Sequence, residues 1–410
     1  MAMVKEMTER SFSVRSWDAT STMSCCEWVG ITCDDSFPAR VVSLSLHIAG
    51  SLPQALANIS SLQILDLSYN GLSGHIPNEL TSLSRLQQLD LSNNHLSEIL
   101  SQGRAIGNLV NLQRLMLGSN SFMGPLPANL SACAKLKVFS TYNNSFQGSL
   151  DLIQFNKLPL LEILDLSSNF FHGSIPLSLA ECAALQGLNM ARNNLIGAVP
   201  IELSSLKNLS ALSISSNNLN GGMRSLFGSK QLVSIILSKN NFDETLPESV
   251  EGQGLSNLQV LALGLLRLRG PIPEWLKNCT RLQVLDLSWN HLEGPIPIWL
   301  GLLPHLFSLD LSSNSFSGYV PVELFGLPTL MHGDKNLTGL QVVNNLAIKH
   351  KEISPVLQYT QVSAFPPTIY LSHNQLQGPI PSQVGALAVL FNMDLSFNNF
   401  SGSIPETMAS

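Results

Sequence analysis

Paired carboxylates are the first feature of this sequence that could do chemistry. Asp66 and Asp90 occupy the same place in two copies of the phrase L-x-x-L-D-L, 24 residues apart, and Asp286 and Asp310 repeat this spacing. On neighbouring parallel strands, each pair would lie about 5 Å apart, the separation of the carboxylates in a retaining glycosidase. The same acid recurs, however, at Asp165 and Asp394. No nucleophile elbow, HExxH motif, phosphate loop or kinase signature accompanies it. The acid therefore follows a structural repeat, and we do not expect an enzyme.

The charge composition excludes a second class of function. The chain has 22 Lys+Arg against 28 Asp+Glu, a net charge of −6, and only 12% charged residues. Such a chain is poorly suited to neutralise a phosphate backbone, so we expect no nucleic-acid partner. No zinc-ligand spacing is present either, and we expect neither a metal nor a cofactor.

An asparagine closes every copy of the phrase L-x-x-L-x-L-x-x-N. The first eight of these residues are 23 to 26 positions apart: Asn70, Asn94, Asn120, Asn144, Asn169, Asn193, Asn217 and Asn240. The series continues at Asn290, Asn314, Asn374 and Asn398. This is a leucine-rich repeat, in about fourteen copies from Val41 onward.

A repeat of this length predicts an α/β solenoid. Each copy makes one coil, its L-x-L segment is a short strand, and successive strands stack about 4.8 Å apart in a parallel concave β-sheet. The asparagines are expected to form a buried hydrogen-bonded ladder that satisfies backbone groups at the turn. The variable residue between the two strand leucines is expected to face solvent.

The cysteines near the start indicate an oxidising compartment. Cys25, Cys26 and Cys33 lie in the segment CCEWVGITC, directly before the first repeat. This segment resembles the disulfide cap of plant receptor ectodomains, and the recurring Gly-x-Ile-Pro phrase resembles the plant-type, extracellular class of these repeats, which form a superhelical arc. The resemblance implies that Cys33 pairs with Cys26, with Cys25 as the alternative, in a secreted setting.

Three further cysteines each lie three residues before a repeat-opening leucine. Cys133, Cys182 and Cys279 therefore occupy one equivalent site in coils two and four steps apart. At about 4.8 Å per step they are too distant to bridge, and we expect buried free thiols.

One interruption breaks the period. Asn314 and Asn374 are 60 residues apart, so that about 36 residues exceed one ordinary coil of about 24. We divide the chain into an N-terminal region with the cap (1–40), about twelve repeats (41–330), an island insert (331–366) and about two further repeats (367–410). An insert of this size is more often functional than accidental.

Both ends are expected to be incomplete. Neither a signal peptide nor an apolar run of 18 residues is present, and the last coil has no polar cap. We therefore expect an ectodomain fragment or an incomplete gene product. Seven Asn-x-Ser/Thr sequons are candidate glycosylation sites: Asn58, Asn129, Asn143, Asn208, Asn278, Asn336 and Asn399.

The inner strands depart from their own consensus in four successive coils. The recurring Asp is replaced there by Asn189, Ser213, Ile236 and Ala262, and Leu266 replaces a ladder asparagine. These departures precede the island directly, which favours a ligand over drift as their cause.

The tracts LQVLDLSWNHLEGPIPIWLG and LQYTQVSAFPPTIYLSHNQLQGPI resemble the phytosulfokine receptor family. Members of that family are receptor kinases that bind a short tyrosine-sulfated peptide between an island and the inner sheet. The resemblance covers the chain from Cys25 onward and implies peptide contacts at five positions: Asn189, Ser213, Ser215, Asp286 and Lys349. A sulfate is a permanent anion that Lys and amide or hydroxyl donors hold well, so these residue types suit it. Arg192 and Lys239 are further candidates, although each could simply be a solvated residue at the sheet edge.

Three functions remain open. The first is the peptide-binding ectodomain of such a receptor, on the extracellular side of the plasma membrane. The resemblance implies that it would recruit a leucine-rich-repeat co-receptor kinase at its C-terminal coils. The second is a kinase-less receptor-like protein that recognises a microbial or other protein. The third is a soluble inhibitor of a wall-degrading enzyme, which usually needs no island.

Overall fold

The computed structural model describes residues 24–100, 106–250, 255–331 and 366–409. The chain forms two compact units, Met1–Ile196 and Gly197–Ser410. Each unit is a stack of coils, and each coil contributes one strand to a parallel inner sheet. The predicted leucine-rich-repeat solenoid with its N-terminal cysteine cap is confirmed, whereas the island lies almost wholly outside the described residues.

The inner sheet of the first unit begins with a short antiparallel strand of the cap. Ile31–Cys33 pairs antiparallel with Val41–Ser45, and the strands that follow are all parallel. They are Ile64–Asp66, Gln88–Asp90, Arg114–Met116, Val138–Ser140, Ile163–Asp165 and Gly187–Asn189. The register is constant, so that Asp66 lies beside Asp90 and Asp165 beside Asn189. Equivalent residues of successive coils therefore form columns.

The inner sheet of the second unit follows the same rule. Its strands are Ala211–Ser213, Ser234–Ile236, Val260–Ala262, Val284–Asp286, Ser308–Asp310, Thr368–Tyr370 and Asn392–Asp394. Neighbouring strands are parallel, and Ala262 lies beside Asp286, which lies beside Asp310.

Short outer strands and 3-10 helices complete most coils. The outer strands are Ala49–Ser51, Gly71–Gly74, His95–Leu96, Met123–Gly124, Ser145–Ser149, Phe170–Gly173, Asn194–Ala198, Asn218–Asn220, Arg269–Gly270, His291–Pro295, Ser315–Tyr319, Gln375–Gly378 and Asn399–Phe400. In the part of the chain that the structure describes, the 3-10 helices are Cys25–Glu27, Gln54–Asn58, Asn78–Ser82, Ile106–Asn108, Ala128–Ala132, Leu150–Leu152, Phe155–Lys157, Leu177–Glu181, Ile201–Ser205, Arg224–Phe227, Glu274–Asn278, Ile298–Leu302, Val322–Gly326, Ser382–Ala386 and Glu406–Ala409, and an α-helix spans Pro328–Met331.

The Gly-x-Ile-Pro phrase explains where the 3-10 helices begin. Pro77, for example, precedes the helix Asn78–Ser82 with φ −60°, a value that the proline ring favours. Gly74 has φ +78°, which most residues with a side chain avoid, so the chain turns there before the proline.

The core of each coil is made of its consensus leucines, and Leu65, Leu67 and Leu72 are fully buried. In the first unit, three phenylalanines from successive coils stack beside them. The ring centroids of Phe122 and Phe146 lie 5.9 Å apart, and those of Phe146 and Phe171 lie 6.2 Å apart. The coils are therefore held together by packing along the stack.

The predicted asparagine ladder is present, with seven of its twelve members buried and the other five half-buried. Asn169 is 5% exposed, and its Nδ2 donates to the carbonyl oxygens of Thr141, Leu166 and Ser167 at 2.9 to 3.2 Å. Its Oδ1 accepts the backbone N–H of Phe146 at 3.0 Å. One side chain thus satisfies backbone groups of two coils, which explains why asparagine recurs.

The disulfide forms as the resemblance implies, and three cysteines stay free as the residue spacing suggests. Cys26 is joined to Cys33, with their Cα atoms 5.6 Å apart. Cys25 is an exposed free thiol, and Cys133, Cys182 and Cys279 are buried free thiols.

Candidate ligand-binding site

The recurring Asp at the end of each inner strand has a structural role. The Oδ1 atom of Asp165 accepts the backbone N–H of Ser167 at 3.0 Å and its hydroxyl at 2.6 Å. Asp165 is 6% exposed and Asp90 only 1%. The expectation that this column faces solvent is therefore wrong at these coils, because each side chain folds back onto its own turn. Burial raises the pKa of Asp165, and the bonds from Ser167 offset part of that rise.

Asn189 takes the place of this Asp and copies its geometry. Its Oδ1 accepts the backbone N–H of Ala191 at 3.1 Å, and the side chain is 7% exposed. A side-chain hydrogen bond from Asn189 also lowers the pKa of Asp165. Its amide is thus already engaged within the first unit. Arg192, three residues further on, is exposed and has φ +54°.

The second unit contains the other described candidates. Ser213 ends the strand Ala211–Ser213 and is 8% exposed, and Ser215 is half-buried. Lys239 is exposed at the edge of the sheet with φ +61°, and its backbone N–H donates to the carbonyl of Gly264 at 2.9 Å. Lys239 therefore lies next to the coil in which Ala262 and Gly264 replace the consensus Asp and Ser.

Asp286 makes the same bonds to its own turn as Asp165 but, unlike Asp165, accepts no further bond from a neighbouring Asn of the described coils. Its Oδ1 accepts the N–H of Ser288 at 2.9 Å and its hydroxyl at 2.6 Å. Among the described residues, Oδ2 of Asp286 has no hydrogen-bond partner. Burial raises the pKa of this half-buried carboxyl group, and the bonds from Ser288 offset part of the rise. The N–H and the hydroxyl of Ser288 therefore both have an acceptor, and Oδ2 of Asp286 remains as a further acceptor.

The coil before Asp286 lacks the two side chains that would crowd it. Ala262 stands where other coils have Asp, and Gly264 where they have Ser. A Cβ atom on Gly264 would lie 3.0 Å from both carboxylate oxygens of Asp286 and from the hydroxyl of Ser288. The Asp286 carboxylate therefore rests directly against the Gly264 backbone, a position that a larger residue would disturb.

Two exposed apolar side chains lie in the edge column of the same coils. Leu265 is 43% exposed and Trp289 is 61% exposed. The N–H of Leu265 donates to the carbonyl of Ser288, directly before Trp289, at 2.9 Å. Sequence reasoning missed Trp289. Its signal was a bulky aromatic before a ladder asparagine, where several other coils have serine or asparagine.

Further departures from the consensus occur in the first unit, and sequence reasoning missed the first two of them. Met116 and Ser140 also replace the recurring Asp. Tyr142 lies over Gly118, where a Cβ atom would be 2.1 Å from the Tyr142 ring. The Tyr142 hydroxyl accepts a bond from Nδ2 of Asn93 at 3.4 Å. The run of four departures is thus not unique along the chain.

The coil with Leu266 in place of a ladder asparagine is repaired by its neighbour. Leu266 is fully buried, and its backbone N–H donates to Oδ1 of Asn290 at 3.0 Å. The same Oδ1 accepts the N–H of Leu268 at 3.0 Å. Asn290 therefore accepts two backbone N–H groups, whereas the ladder residue Asn169 accepts one.

Several predicted residues lie outside the described part of the chain or stay untested. Lys349 and the sequon at Asn336 are outside it. The other sequon asparagines are exposed: Asn58, Asn129, Asn143, Asn208, Asn278 and Asn399. The described residues include no group of three metal-ligating side chains and no helix able to cross a membrane.

Comparison with protein families identifies the repeats directly. A leucine-rich-repeat profile matches residues 47–96, and single-repeat matches cover 160–182, 281–303 and 305–327. A leucine-rich-repeat N-terminal domain profile matches residues 1–34.

Two curated proteins of Arabidopsis thaliana are similar to parts of the chain. Phytosulfokine receptor 2 is 48% identical over 178 residues, which is 42% of this chain and 17% of that protein. Receptor-like protein 3 is 41% identical over 180 residues, which is 42% of this chain and 23% of that protein. The chain thus matches less than a quarter of the length of either relative.

A solved plant peptide hormone receptor, RGFR1 in complex with RGF2, has a similar structure. Its TM-score is 0.72 at 28% identity, over 90% of this chain and 57% of the receptor chain. The chain is therefore similar to phytosulfokine receptors in sequence and to a plant peptide hormone receptor in fold.

Proposed function

We propose that this chain is the ligand-binding part of a plant cell-surface receptor, and that its ligand is a short tyrosine-sulfated peptide. The likeness to phytosulfokine receptor 2 supports the class of ligand. The likeness to the solved peptide hormone receptor supports the binding of a peptide by this fold. Within this proposal the chain acts on the extracellular side of the plasma membrane.

The second unit offers three kinds of contact in successive coils. Lys239 supplies a cation, Leu265 and Trp289 supply exposed apolar surface, and Asp286 supplies an acceptor. Lys239 and Asp286 belong to coils two steps apart, so their backbones are about 10 Å apart at roughly 4.8 Å per strand. A short peptide reaches across that distance, with its sulfate at Lys239 and a backbone N–H at Asp286.

The observation that carries the proposal is the unused Oδ2 of Asp286. A half-buried carboxylate oxygen gains from a peptide N–H, because charge-assisted hydrogen bonds are stronger than neutral ones. Gly264 and Ala262 leave this carboxylate uncrowded, which the consensus residues would not.

The remaining residues of the site stay predictions. Ser213, Ser215 and Asn189 would contribute hydroxyl or amide donors, Arg192 a further cation, and Lys349 a cation from the island. Asn189 would have to exchange a bond it already makes to Ala191 or Asp165. The island itself would cover the peptide.

A second protein completes the proposed signalling unit. A leucine-rich-repeat co-receptor kinase would bind at the C-terminal coils once the peptide is in place. A kinase domain and a membrane helix would belong to the whole receptor, of which this chain is the extracellular part.

A substitution at Asp286 tests the proposal. Asp286→Asn retains the Oδ1 acceptor for Ser288 but replaces Oδ2 by an amide donor, which opposes a peptide N–H. Loss of one charge-assisted bond is worth about 1.5 to 3 kcal/mol, so calorimetry should show affinity for the sulfated peptide falling roughly 10-fold to 150-fold. Asp66→Asn is the matched control, since Asp66 makes the same bonds to Ser68 in a distant coil.

The outcome separates two candidate functions. Equal affinities of wild type, Asp286→Asn and Asp66→Asn would remove Asp286 from the site. Absence of binding by the wild type would favour the second candidate, a receptor-like protein with a protein ligand. The likeness to Receptor-like protein 3 is the observation that keeps this candidate open.

A further inference from the structure

A polar cleft lies in the first unit, at the edge where the chain enters the inner strands. Its volume is about 570 Å³, within the range of small-ligand sites. Its lining includes two arginines, Arg40 and Arg85, and the polar side chains of Asn58, Ser60, Ser61 and Ser84. None of these residues belongs to the peptide site proposed above.

The repeat sets the distance between the two arginines. Arg40, Ser61 and Arg85 each directly precede the first consensus residue of a coil, and the three coils are consecutive. At roughly 4.8 Å per strand, the backbones of Arg40 and Arg85 are about 10 Å apart. The cleft therefore offers two cations at a fixed spacing, with hydroxyl and amide groups also in its lining.

Both guanidinium groups are available to an anion. Neither arginine forms an ion pair with a described residue, and both are exposed. The pKa of Asp34 is lowered, chiefly by the bond from the Ser36 hydroxyl and to a smaller extent by the nearby charge of Arg40. Oδ1 of Asp34 accepts the Ser36 hydroxyl and the backbone N–H of Arg40. That carboxylate is thus held by its own loop and leaves Arg40 unpaired.

The backbone around the cleft argues against a peptide as its occupant. The N–H of Gln63 donates to the carbonyl of Val42, and the N–H of Gln87 donates to that of Gln63. These bonds join neighbouring coils, so the strand ends offer no free edge to which an extended peptide could add. Two cations are also too few to hold a nucleic acid.

We propose that this cleft binds a short acidic oligosaccharide, a chain of uronic acid units. Two of its carboxylates would pair with Arg40 and Arg85, since the guanidinium fork matches a carboxylate. The sugar hydroxyls between them would bond to the side chains of Asn58, Ser60 and Ser84. The proposal is independent of the peptide site in the second unit.

Asn58 makes a competing occupant possible, because it lies in a sequon and is exposed. A glycan on Asn58 could fill the cleft itself. The test therefore includes Asn58→Gln, which removes that glycan.

The probe is tri-galacturonic acid, titrated by saturation-transfer NMR into the protein secreted from a eukaryotic host. We expect Arg40→Gln and Arg85→Gln each to raise the dissociation constant at least about threefold, and the double variant roughly tenfold, as for exposed charge pairs. Added salt should weaken binding further. Arg281→Gln is the matched control, since Arg281 has the same place in its coil but already bonds to Asn257 at 3.0 Å. This control should bind like the wild type.

Three results would overturn the proposal. The neutral trisaccharide maltotriose could bind as tightly as the acidic probe. Binding could be confined to Asn58→Gln, which would assign the cleft to the glycan. The double arginine variant could lose affinity for the tyrosine-sulfated peptide instead, which would assign the cleft to the peptide. A chain that fails to bind any peptide but retains the acidic probe would refute only the proposed receptor function.

Discussion

Replacement of Asn290 by alanine should destabilise its coil more than the same change at an ordinary ladder position. Asn290 accepts two backbone N–H groups, from Leu266 and Leu268, whereas Asn169 accepts one, from Phe146. Each side chain donates three bonds and is 5% exposed, which makes Asn169→Ala a matched control.

The expected magnitude follows from the donors that lose their partner. A buried N–H without a partner costs about 1 to 3 kcal/mol, so Asn290→Ala should cost about 2 to 6 kcal/mol through its two donors, and Asn169→Ala about 1 to 3 kcal/mol. Both values add to the loss of the three donated bonds, which the two sites share.

Hydrogen exchange is the appropriate assay, because long repeat arrays do not unfold in a single step. Mass spectrometry of peptides that cover 263–270 and 144–150 would report the free energy of local opening at each site. An equal or larger loss at Asn169 would refute the idea that Asn290 takes over for the missing asparagine.

Three other predictions concern the packing of single groups. Gly264→Ala would place a methyl group 3.0 Å from the Asp286 carboxylate and should lower affinity for the sulfated peptide several-fold in calorimetry, while Gly326→Ala, which meets nothing within 4 Å, should not; equal affinities would contradict the role of Gly264. Because burial raises the pKa of Asp165, the folded protein holds that proton more firmly than the unfolded chain, and stability falls as pH rises from about 3.8 through the folded pKa. In urea unfolding, the stability of Asp165→Asn relative to wild type should therefore increase as pH rises across that window. A relative gain that appears only below pH 3.8 would contradict this. Burial raises the pKa of Cys133 to about 11 and those of Cys182 and Cys279 to about 12, so alkylation of the native protein at pH 8 should label Cys25 alone, and all four free thiols after denaturation. Rapid labelling of the three buried thiols in the native state would show that the coils open there.

Much of the fold could be predicted because the repeat makes every coil a copy of its neighbours. The ladder asparagines, the buried leucines and the free thiol of Cys133 all follow from residue type and period. The replacement at Leu266 was also visible in the sequence. Its repair by Asn290 was not, since a second bond to Oδ1 depends on where the next coil brings that atom.

The candidate site was harder to predict because it depends on contacts between coils. The consensus Asp looked exposed, since strand alternation places it opposite the leucines, but its short side chain bonds to the backbone two residues ahead. Gly264 is informative only through the Asp286 carboxylate that rests against it. The effect of a glycine in one coil cannot be inferred until the side chain beside it in the next coil is known. Lys349 was identified by resemblance alone, and no contact of the described residues bears on it.

Titration of the wild-type chain with a tyrosine-sulfated peptide and with its unsulfated form tests the central claim most directly, with Lys349→Ala measured beside it. The account predicts that the sulfated peptide binds more tightly, and that Lys349→Ala lowers its affinity roughly 10-fold to 150-fold through one charge-assisted bond worth about 1.5 to 3 kcal/mol. The loss should be smaller for the unsulfated peptide. Equal losses for the two peptides would contradict a sulfate contact at Lys349, and no binding of either peptide by the wild type would contradict the proposed receptor function.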